Sequence, residues 1–268
     1  MSGYGFLRQR RWLALGFLVV LVLPSFLLLS RWQVHRLEER RAANQLVIDH
    51  SSQTPVPVTQ VMASGAPLSS VGDAQRWIPV TATGHYDDAR TQLVRKRPLD
   101  SRPGFWVATP LVLSDGTELV VNRGWLEASG SATVVQAPPA APTGLVTVTG
   151  RVQPSEDAPD PQPSDLPAGQ ITDLSVPLVS GGGAAAFPGY IDLMSSTPPD
   201  SAELTPIALP DLSEGPHLGY AVQWVLFAIV AVVGFVVLVR RERQYGAAAD
   251  DAAAVPATEA STSGPADA

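Results

Sequence analysis

One long apolar run near the end of the chain constrains the fold more than any other feature. Gly219 to Val239 gives 21 residues in which Gln223 is the only strongly polar side chain. At about 1.5 Å of rise per residue, this run can cross the roughly 30 Å hydrocarbon core of a bilayer. Three basic residues follow it closely: Arg240, Arg241 and Arg243. We therefore predict a transmembrane helix over residues 217–239.

A second apolar run lies near the start of the chain, after a short basic segment over residues 1–11. Trp12 to Leu29 contains no charged residue, and its length fits either an uncleaved membrane helix or the core of a signal peptide. No small-x-small cleavage site follows it, which favours an uncleaved helix over residues 12–30. Arg10-Arg11 also allows a twin-arginine signal, but no further element of such a signal is present.

Two spans place both termini on one side of the membrane, and the arginines after the second span indicate which side. The opposite flank of that span carries only Asp211 and Glu214, and basic flanks stay in the cytoplasm. We therefore expect cytoplasmic termini, an extracytoplasmic centre, a helical stalk over residues 31–55, and a cytoplasmic flank over residues 240–268. From Gly246 this flank should be a disordered tail.

The centre, residues 56–216, is predicted to be a mainly β (α+β) domain, because short β-prone runs alternate with Gly, Pro and Asp. The predicted strands are Trp77–Thr83, Gln92–Lys96, Phe105–Val112, Glu118–Trp125, Leu145–Val152 and Tyr190–Met194. Gly84 is expected to end the first strand, and Asp115-Gly116 to form a hairpin turn. With a short helix within Ile171–Val179, the pattern indicates one mainly antiparallel domain between two membrane helices.

The composition excludes several classes of function. A net charge of −7 without a dense basic stripe gives no indication of nucleic-acid binding. The chain has no cysteine, so disulfides, thiolate chemistry and iron–sulfur clusters are excluded. No phosphate-binding glycine loop, HExxH or GxSxG motif occurs, and we do not expect an enzyme.

His217, at the start of the second span, is the most informative titratable residue. Tyr220 and Trp224 share its face of a helix. A neutral imidazole at the bilayer edge can be an axial haem ligand, although the residues alone favour an interfacial aromatic belt without a ligand. His35 should lie at a similar depth, as a second ligand or as a solvated side chain. Gln223 is expected to bond to the first helix.

Two further stretches of the central domain are candidates for recognition. In Asn122-Arg123-Gly124-Trp125, which we expect to close a strand, Gly124 should supply a turn conformation and Trp125 an anchor. Arg123 could bind a partner's carboxylate or a haem propionate, or make a structural hydrogen bond. A basic patch is either a solvated loop or a docking surface for an acidic partner. It comprises Arg95, Lys96, Arg97 and Arg102.

Taken in order, several short motifs resemble one family over residues 12–242. They are Trp32-Gln33 with Arg36-Leu37, Gly84-His85-Tyr86, Gly104-Phe105-Trp106-Val107, Asn122-Arg123-Gly124-Trp125, Gly150-Arg151-Val152, and the run from His217 to Trp224. This set is similar to the Surfeit locus 1 family, whose members help to assemble haem–copper cytochrome c oxidase. The region 154–189 departs from the family, because it has proline and glycine loops where members often carry a segment with Trp and Asp.

The resemblance implies a non-enzymatic membrane protein that acts on oxidase subunit I, with the haem a synthase as a candidate further partner. It implies transient haem a binding by His217 as iron ligand, with Tyr220 and Trp224 shaping the slot. Trp32, Gln33, Arg123 and Trp125 match motif positions for partner or structural roles. A scaffold without a cofactor is the alternative.

The expected location is a bacterial plasma membrane. Only 11 residues precede the first span, fewer than a mitochondrial presequence and a matrix segment would need.

Overall fold

The computed structural model describes residues 4–129, 136–159, 161–181 and 185–253. The chain divides into two compact units. One comprises Met1–Arg41 with Ser213–Ala268, and the other comprises Ala42–Leu212. The described residues contain the α-helices α1 (Arg10–Ser51), α2 (Val176–Ser180) and α3 (His217–Ala253).

Helices α1 and α3 are long and apolar enough to cross a membrane, as the sequence predicts. α1 has 42 residues, or about 63 Å, and continues without a break as far as Ser51, four residues before the predicted end of the stalk. Pro24 lies inside this helix, and the hydroxyl of Ser25 donates to the Leu21 carbonyl at 2.9 Å. Side chains along both helices are exposed, such as Phe17 (69 %) and Val230 (67 %). Such apolar surface is what a lipid environment would cover.

α3 begins at His217 and continues past the predicted end of the span at Val239. The backbone is helical as far as Ala253, whereas the sequence predicts a disordered tail from Gly246. The remainder of that predicted tail, residues 254–268, lies outside the described residues.

The second unit is built around a sheet that closes on itself. Its strands are β1 (Val56–Pro57), β2 (Pro79–Tyr86), β3 (Gln92–Val94), β4 (Gly104–Leu113), β5 (Glu118–Glu127), β6 (Val146–Pro154), β7 (Gln170–Ile171) and β8 (Ala186–Thr197). Five of them pair in the closed order β2-β6-β8-β5-β4-β2. All of these barrel pairs are antiparallel except β5 with β8. The predicted mainly antiparallel β domain is therefore confirmed.

The interior of the barrel is filled by aliphatic side chains that alternate along the strands. In β6, Val146 and Val148 are fully buried, whereas Thr147 between them is exposed and shares a hydrogen bond with Thr83 at 2.9 Å. This alternation is the period of two that the sequence shows. Phe187 and Ile191 of β8 complete the core, and β8 is longer at both ends than the predicted strand over Tyr190–Met194.

Gly84 does not end its strand, contrary to the sequence-based prediction. β2 continues to Tyr86, and Gly84 pairs with Val146 on one side and with Leu113 on the other. A Cβ at this position would lie 2.4 Å from the Val112 carbonyl oxygen. Gly84 therefore stands where the sheet closes and the backbones approach too closely for a side chain.

The outer face of β4 and β5 is covered by the segment between β6 and β8. In five-stranded barrels of the OB type, an equivalent face binds the ligand. Here a second apolar cluster fills that face, and it comprises Val94, Ala108, Val120, Ile171, Leu174, Val176, Val179 and Tyr190. The region 154–189, which departs from the family pattern, thus supplies α2 and β7 as cover for the barrel.

Candidate functional site

The start of α3 is fixed by its own backbone and by α1. Gly215 has φ +69°, a left-handed conformation that favours glycine, and it turns the chain into the helix. Glu214, just before it, forms a two-point ion pair with Arg41 of α1, with both N–O distances 2.8 Å. This guanidinium lowers the pKa of the Glu214 carboxyl. These contacts set the position of His217, the first residue of α3.

The His217 ring meets α1 through one hydrogen bond. Its Nδ1 lies 2.9 Å from Oε1 of Gln33, and both residues are half-buried. An amide oxygen only accepts, so Nδ1 must carry the proton. In a neutral imidazole the other nitrogen, Nε2, then keeps its lone pair. Gln33 therefore selects the tautomer that presents Nε2 as a ligand atom.

Nε2 makes no hydrogen bond to any described residue, and the backbone beside it is glycine. A Cβ placed on Gly215 would lie 3.5 Å from Cδ2 and 3.6 Å from Nε2 of His217. The ring edge is therefore not crowded by a side chain from Gly215. A half-buried imidazole with a fixed Nδ1 proton and a free Nε2 fits the donor that an axial haem site needs.

Tyr220 and Trp224 do not act as a pair beside this ring. The Trp224 ring packs against Phe26 of α1 with centroids 5.5 Å apart, and against Phe227 at 5.8 Å in a T-shaped contact. Tyr220 stays on the open face of α3 with 47 % of its surface exposed. Trp224 therefore fixes α3 against α1, whereas the Tyr220 ring makes no ring contact among the described residues.

The structure shows His35 as a solvated side chain, one of the two alternatives that the sequence allows, whereas the predicted contact of Gln223 with α1 is not observed among the described residues. His35 is exposed, and its Nε2 lies 3.3 Å from Glu39 on the same helix. Gln223 is exposed as well, with no hydrogen bond to α1 among the described residues. Ser30 joins the helices instead, because its hydroxyl donates to the Ala221 carbonyl at 3.0 Å. Trp32, 53 % exposed, lies on the open side of α1 beside His35.

Arg123 is buried in the β domain, and its guanidinium donates hydrogen bonds to four neighbouring oxygen atoms. Its guanidinium bonds both oxygens of Asp200, at 2.9 and 2.5 Å, and donates to the carbonyls of Pro139 and Ala140 at 2.9 and 3.0 Å. Its side chain has no exposed surface. Arg123 is therefore a structural clasp between β5 and two loops, and it is not placed to bind a propionate or a partner's carboxylate.

A bulge in β5 directs Arg123 to that clasp. Val107 of β4 pairs with Gly124 and the next residue, Ala108, pairs with Asn122, so Arg123 is the extra residue. Gly124 has φ +147°, and a Cβ there would lie 2.8 Å from the Thr205 carbonyl oxygen. The motif thus lies within a strand that continues to Glu127, contrary to the prediction that it closes one.

Trp125 is an anchor, as its motif suggests. Its ring is 4 % exposed, and its indole N–H donates to the Arg97 carbonyl at 2.6 Å. A Cβ on Gly104 would lie 2.3 Å from this ring, which explains the glycine on the neighbouring strand. Trp125 therefore ties the basic loop after β3 to the barrel wall.

The described residues contain no cluster of three or more His, Asp or Glu side chains suited to a metal ion. The geometry thus defines a two-span membrane protein with a β-barrel domain and one prominent imidazole at the start of its second span.

Most of the chain matches known proteins of one kind. The family model described as the SURF1 family covers residues 20–229. The chain is 30 % identical over 245 residues to uncharacterized SURF1-like proteins of Mycobacterium bovis and Mycobacterium tuberculosis, covering 87 % of this chain and 85 % of theirs. A SURF1-like protein of Dictyostelium discoideum is 30 % identical over 113 residues, 41 % of this chain and 42 % of that protein.

The chain belongs to the SURF1 (Surfeit locus 1) family, a family of assembly factors linked to cytochrome c oxidase and not of enzymes.

Two residue contacts of the candidate sites are not predicted by the sequence, those of Gln33 with His217 and of Asp200 with Arg123. Gln33 lies in the Trp-Gln motif, so the motif itself points to the residue but not to its bond with His217. Asp200 follows two prolines in an unremarkable loop, and no local signal connects it with Arg123.

Proposed function

We propose that this protein is an assembly factor that binds haem a and assists its insertion into subunit I of cytochrome c oxidase. The observation that carries this proposal is the hydrogen bond from His217 Nδ1 to Gln33, which leaves the lone pair of Nε2 free to bind a metal. Membership of a family linked to oxidase assembly supports the choice of partner.

In this proposal the residues around His217 have separate roles. His217 would hold the haem iron through Nε2, and Gln33 would position the ring and hold its tautomer. The exposed Tyr220 ring would be available to pack against the flat ligand, whereas Trp224 keeps α3 packed on α1 through Phe26. Holding the haem through a single protein side chain would permit its release, which delivery to subunit I requires. The haem a synthase is the proposed donor.

We further propose that the protein lies in a bacterial plasma membrane, with both termini in the cytoplasm and the barrel outside. The support is the charge of the helix ends. Arg240, Arg241 and Arg243 follow the apolar part of α3, whereas α1 gives no direction because arginines lie on both sides of its apolar part. Basic flanks of this kind remain on the cytoplasmic side.

The test is the pigment content of the full-length protein purified in detergent from cells that make haem a. Wild-type protein should show a haem spectrum, and His217→Ala should lose most of it. Gln33→Ala should weaken binding about 10- to 100-fold, the usual effect of losing a partner that orients a ligand. His35→Ala is the matched control and should match wild type. Equal haem content in wild type and His217→Ala would overturn the haem proposal.

The second candidate function is a scaffold that holds subunit I without a cofactor. In the basic loop, Arg97 pairs with Glu156 and Arg102 with Glu127, whereas Arg95 and Lys96 have no ion pair among the described residues. Their uncompensated charge favours an acidic partner. This function predicts that Arg95→Ser/Lys96→Ser impairs oxidase assembly while His217→Ala does not.

A further inference from the structure

The ends of α1 and α3 farthest from His217 gather an excess of positive charge. Six exposed arginines lie there: Arg8, Arg10, Arg11, Arg240, Arg241 and Arg243. Within residues 4–15 and 230–245, Glu242, which pairs with Arg11, is the single acidic residue. Arg243 donates to the hydroxyl of Tyr4 at 2.9 Å, which leaves its charge uncompensated. Five of the six guanidinium groups therefore have no carboxylate partner among the described residues.

An apolar groove between the two helices begins beside these arginines. It has a volume of about 250 Å³. It is lined by Leu15, Leu18, Val19 and Val22 of α1, and by Val230, Ala231, Gly234, Phe235 and Leu238 of α3. Gly234 leaves its floor open, because a Cβ there would have no atom within 4 Å.

The groove and the charges have the spacing of a single lipid. Leu15 lies one helical turn from Arg11, and Leu238 lies two residues before Arg240. From Val230 to Leu238 the groove extends about 12 Å along the helix, close to the roughly 15 Å depth of one leaflet. A phosphate at the arginines would thus lie directly above an acyl chain in the groove.

We propose that this end of the helix pair binds an anionic phospholipid. Arg8, Arg10, Arg240 and Arg241 face the phosphate, and the groove takes one acyl chain. Anionic lipids attract basic residues beside a membrane helix, and apolar burial adds to that attraction. A soluble phosphate would interact only with the arginines, and a neutral lipid would gain only from burial of its acyl chain in the groove. The combination therefore selects a lipid with a net negative headgroup.

The test uses the full-length protein, delipidated in neutral detergent, with lipid binding measured by native mass spectrometry. Phosphatidylglycerol should bind more tightly than phosphatidylcholine with the same chains. At about fivefold per arginine, Arg10→Gln/Arg240→Gln should lower phosphatidylglycerol affinity roughly 25-fold. Gly234→Leu should weaken both lipids by filling the groove.

Arg31→Gln/Arg36→Gln, which removes two charges from the other end of the α1 span, is the matched control and should leave binding unchanged. Equal affinity for the two lipids, or an equal loss in the control, would overturn the proposal. Displacement of bound lipid by millimolar glycerol phosphate would show a site for soluble phosphate and would also overturn it. If the double variant does not fold, wild-type protein still decides, because the preference for phosphatidylglycerol must decline as salt increases.

Discussion

Gln33 of α1 accepts the Nδ1 proton of His217 of α3 at 2.9 Å, across 184 residues of sequence. We expect neutral His217 in wild-type protein to carry its proton on Nδ1 alone. Gln33→Leu removes the acceptor and should give a mixture of both tautomers, which ¹⁵N NMR of labelled histidine distinguishes. His50 is an internal control, because its Nδ1 lies 2.7 Å from the Arg76 carbonyl and should not respond. An unchanged His217 signal would show that Gln33 does not select the tautomer.

Breaking the clasp between Arg123 and Asp200 should strongly destabilise the barrel. Asp200→Ala removes both hydrogen-bonded carboxylate oxygens from a fully buried guanidinium and leaves only Asp88, 3.9 Å away, a change that costs about 3–5 kcal/mol. Denaturant unfolding of the full-length protein in detergent measures this loss. The exposed pair of Arg102 and Glu127 is the control, and Glu127→Ala should cost less than about 1 kcal/mol. Similar losses in both variants would contradict the structural role of Arg123.

The bulge at Gly124 should not tolerate a side chain. Gly124→Ala would place Cβ 2.8 Å from the Thr205 carbonyl oxygen at φ +147°, and we expect a loss of about 1–3 kcal/mol. Thermal unfolding provides the measurement. Gly72→Ala is the matched control, because its Cβ would have no atom within 4 Å and its φ is not in the left-handed region. A Gly124→Ala protein as stable as Gly72→Ala would show that the bulge is not constrained.

Asp192 should make the barrel less stable as pH rises from 4 to 7. Burial raises the pKa of its carboxyl to about 6, although Asn122 donates to it at 2.7 Å and Arg151 lies near enough to oppose the shift. Glu156, a second carboxylate nearby, adds to the shift. The folded protein therefore holds a proton that the unfolded chain has already released. Stability is then highest below pH 4 for this group and declines by about 3 kcal/mol through pH 6.

Asp192→Asn isolates that contribution. The variant keeps the shape of the side chain but cannot ionise, so its stability should decline less than that of wild type between pH 4 and 7. The difference between the two pH curves, measured by denaturant unfolding, cancels any packing change that does not depend on pH. Parallel curves would mean that Asp192 does not titrate in this range.

The parts of the fold that depend on neighbouring residues could be predicted from the sequence. Apolar length defines α1 and α3, and the alternation of valine and threonine defines β6. Gly84 shows where this reasoning ends. A glycine shortly before two aspartates is typical of a turn, but here it marks the contact of β2 with both β4 and β6. Local propensity contains no information about a strand that returns from elsewhere in the chain.

In the candidate site, too, features set by neighbouring residues could be predicted, whereas contacts between distant residues could not. His217 could be found from its place at the start of an apolar helix, and the Trp-Gln motif pointed to Gln33. The bond between them depends on how two helices pack, which one residue pattern does not specify. Trp224 was expected beside a ligand because it shares a helical face with His217, but that face is also the one that meets Phe26.

β8 lies between β6 and β5 although it is the last barrel strand in the chain. During synthesis, β5 and β6 therefore each have one unpaired edge until Ala186–Thr197 has left the ribosome. Only residues 198–216 separate this strand from α3. Closure of the barrel and delivery of the second span to the membrane therefore fall within one short interval of translation.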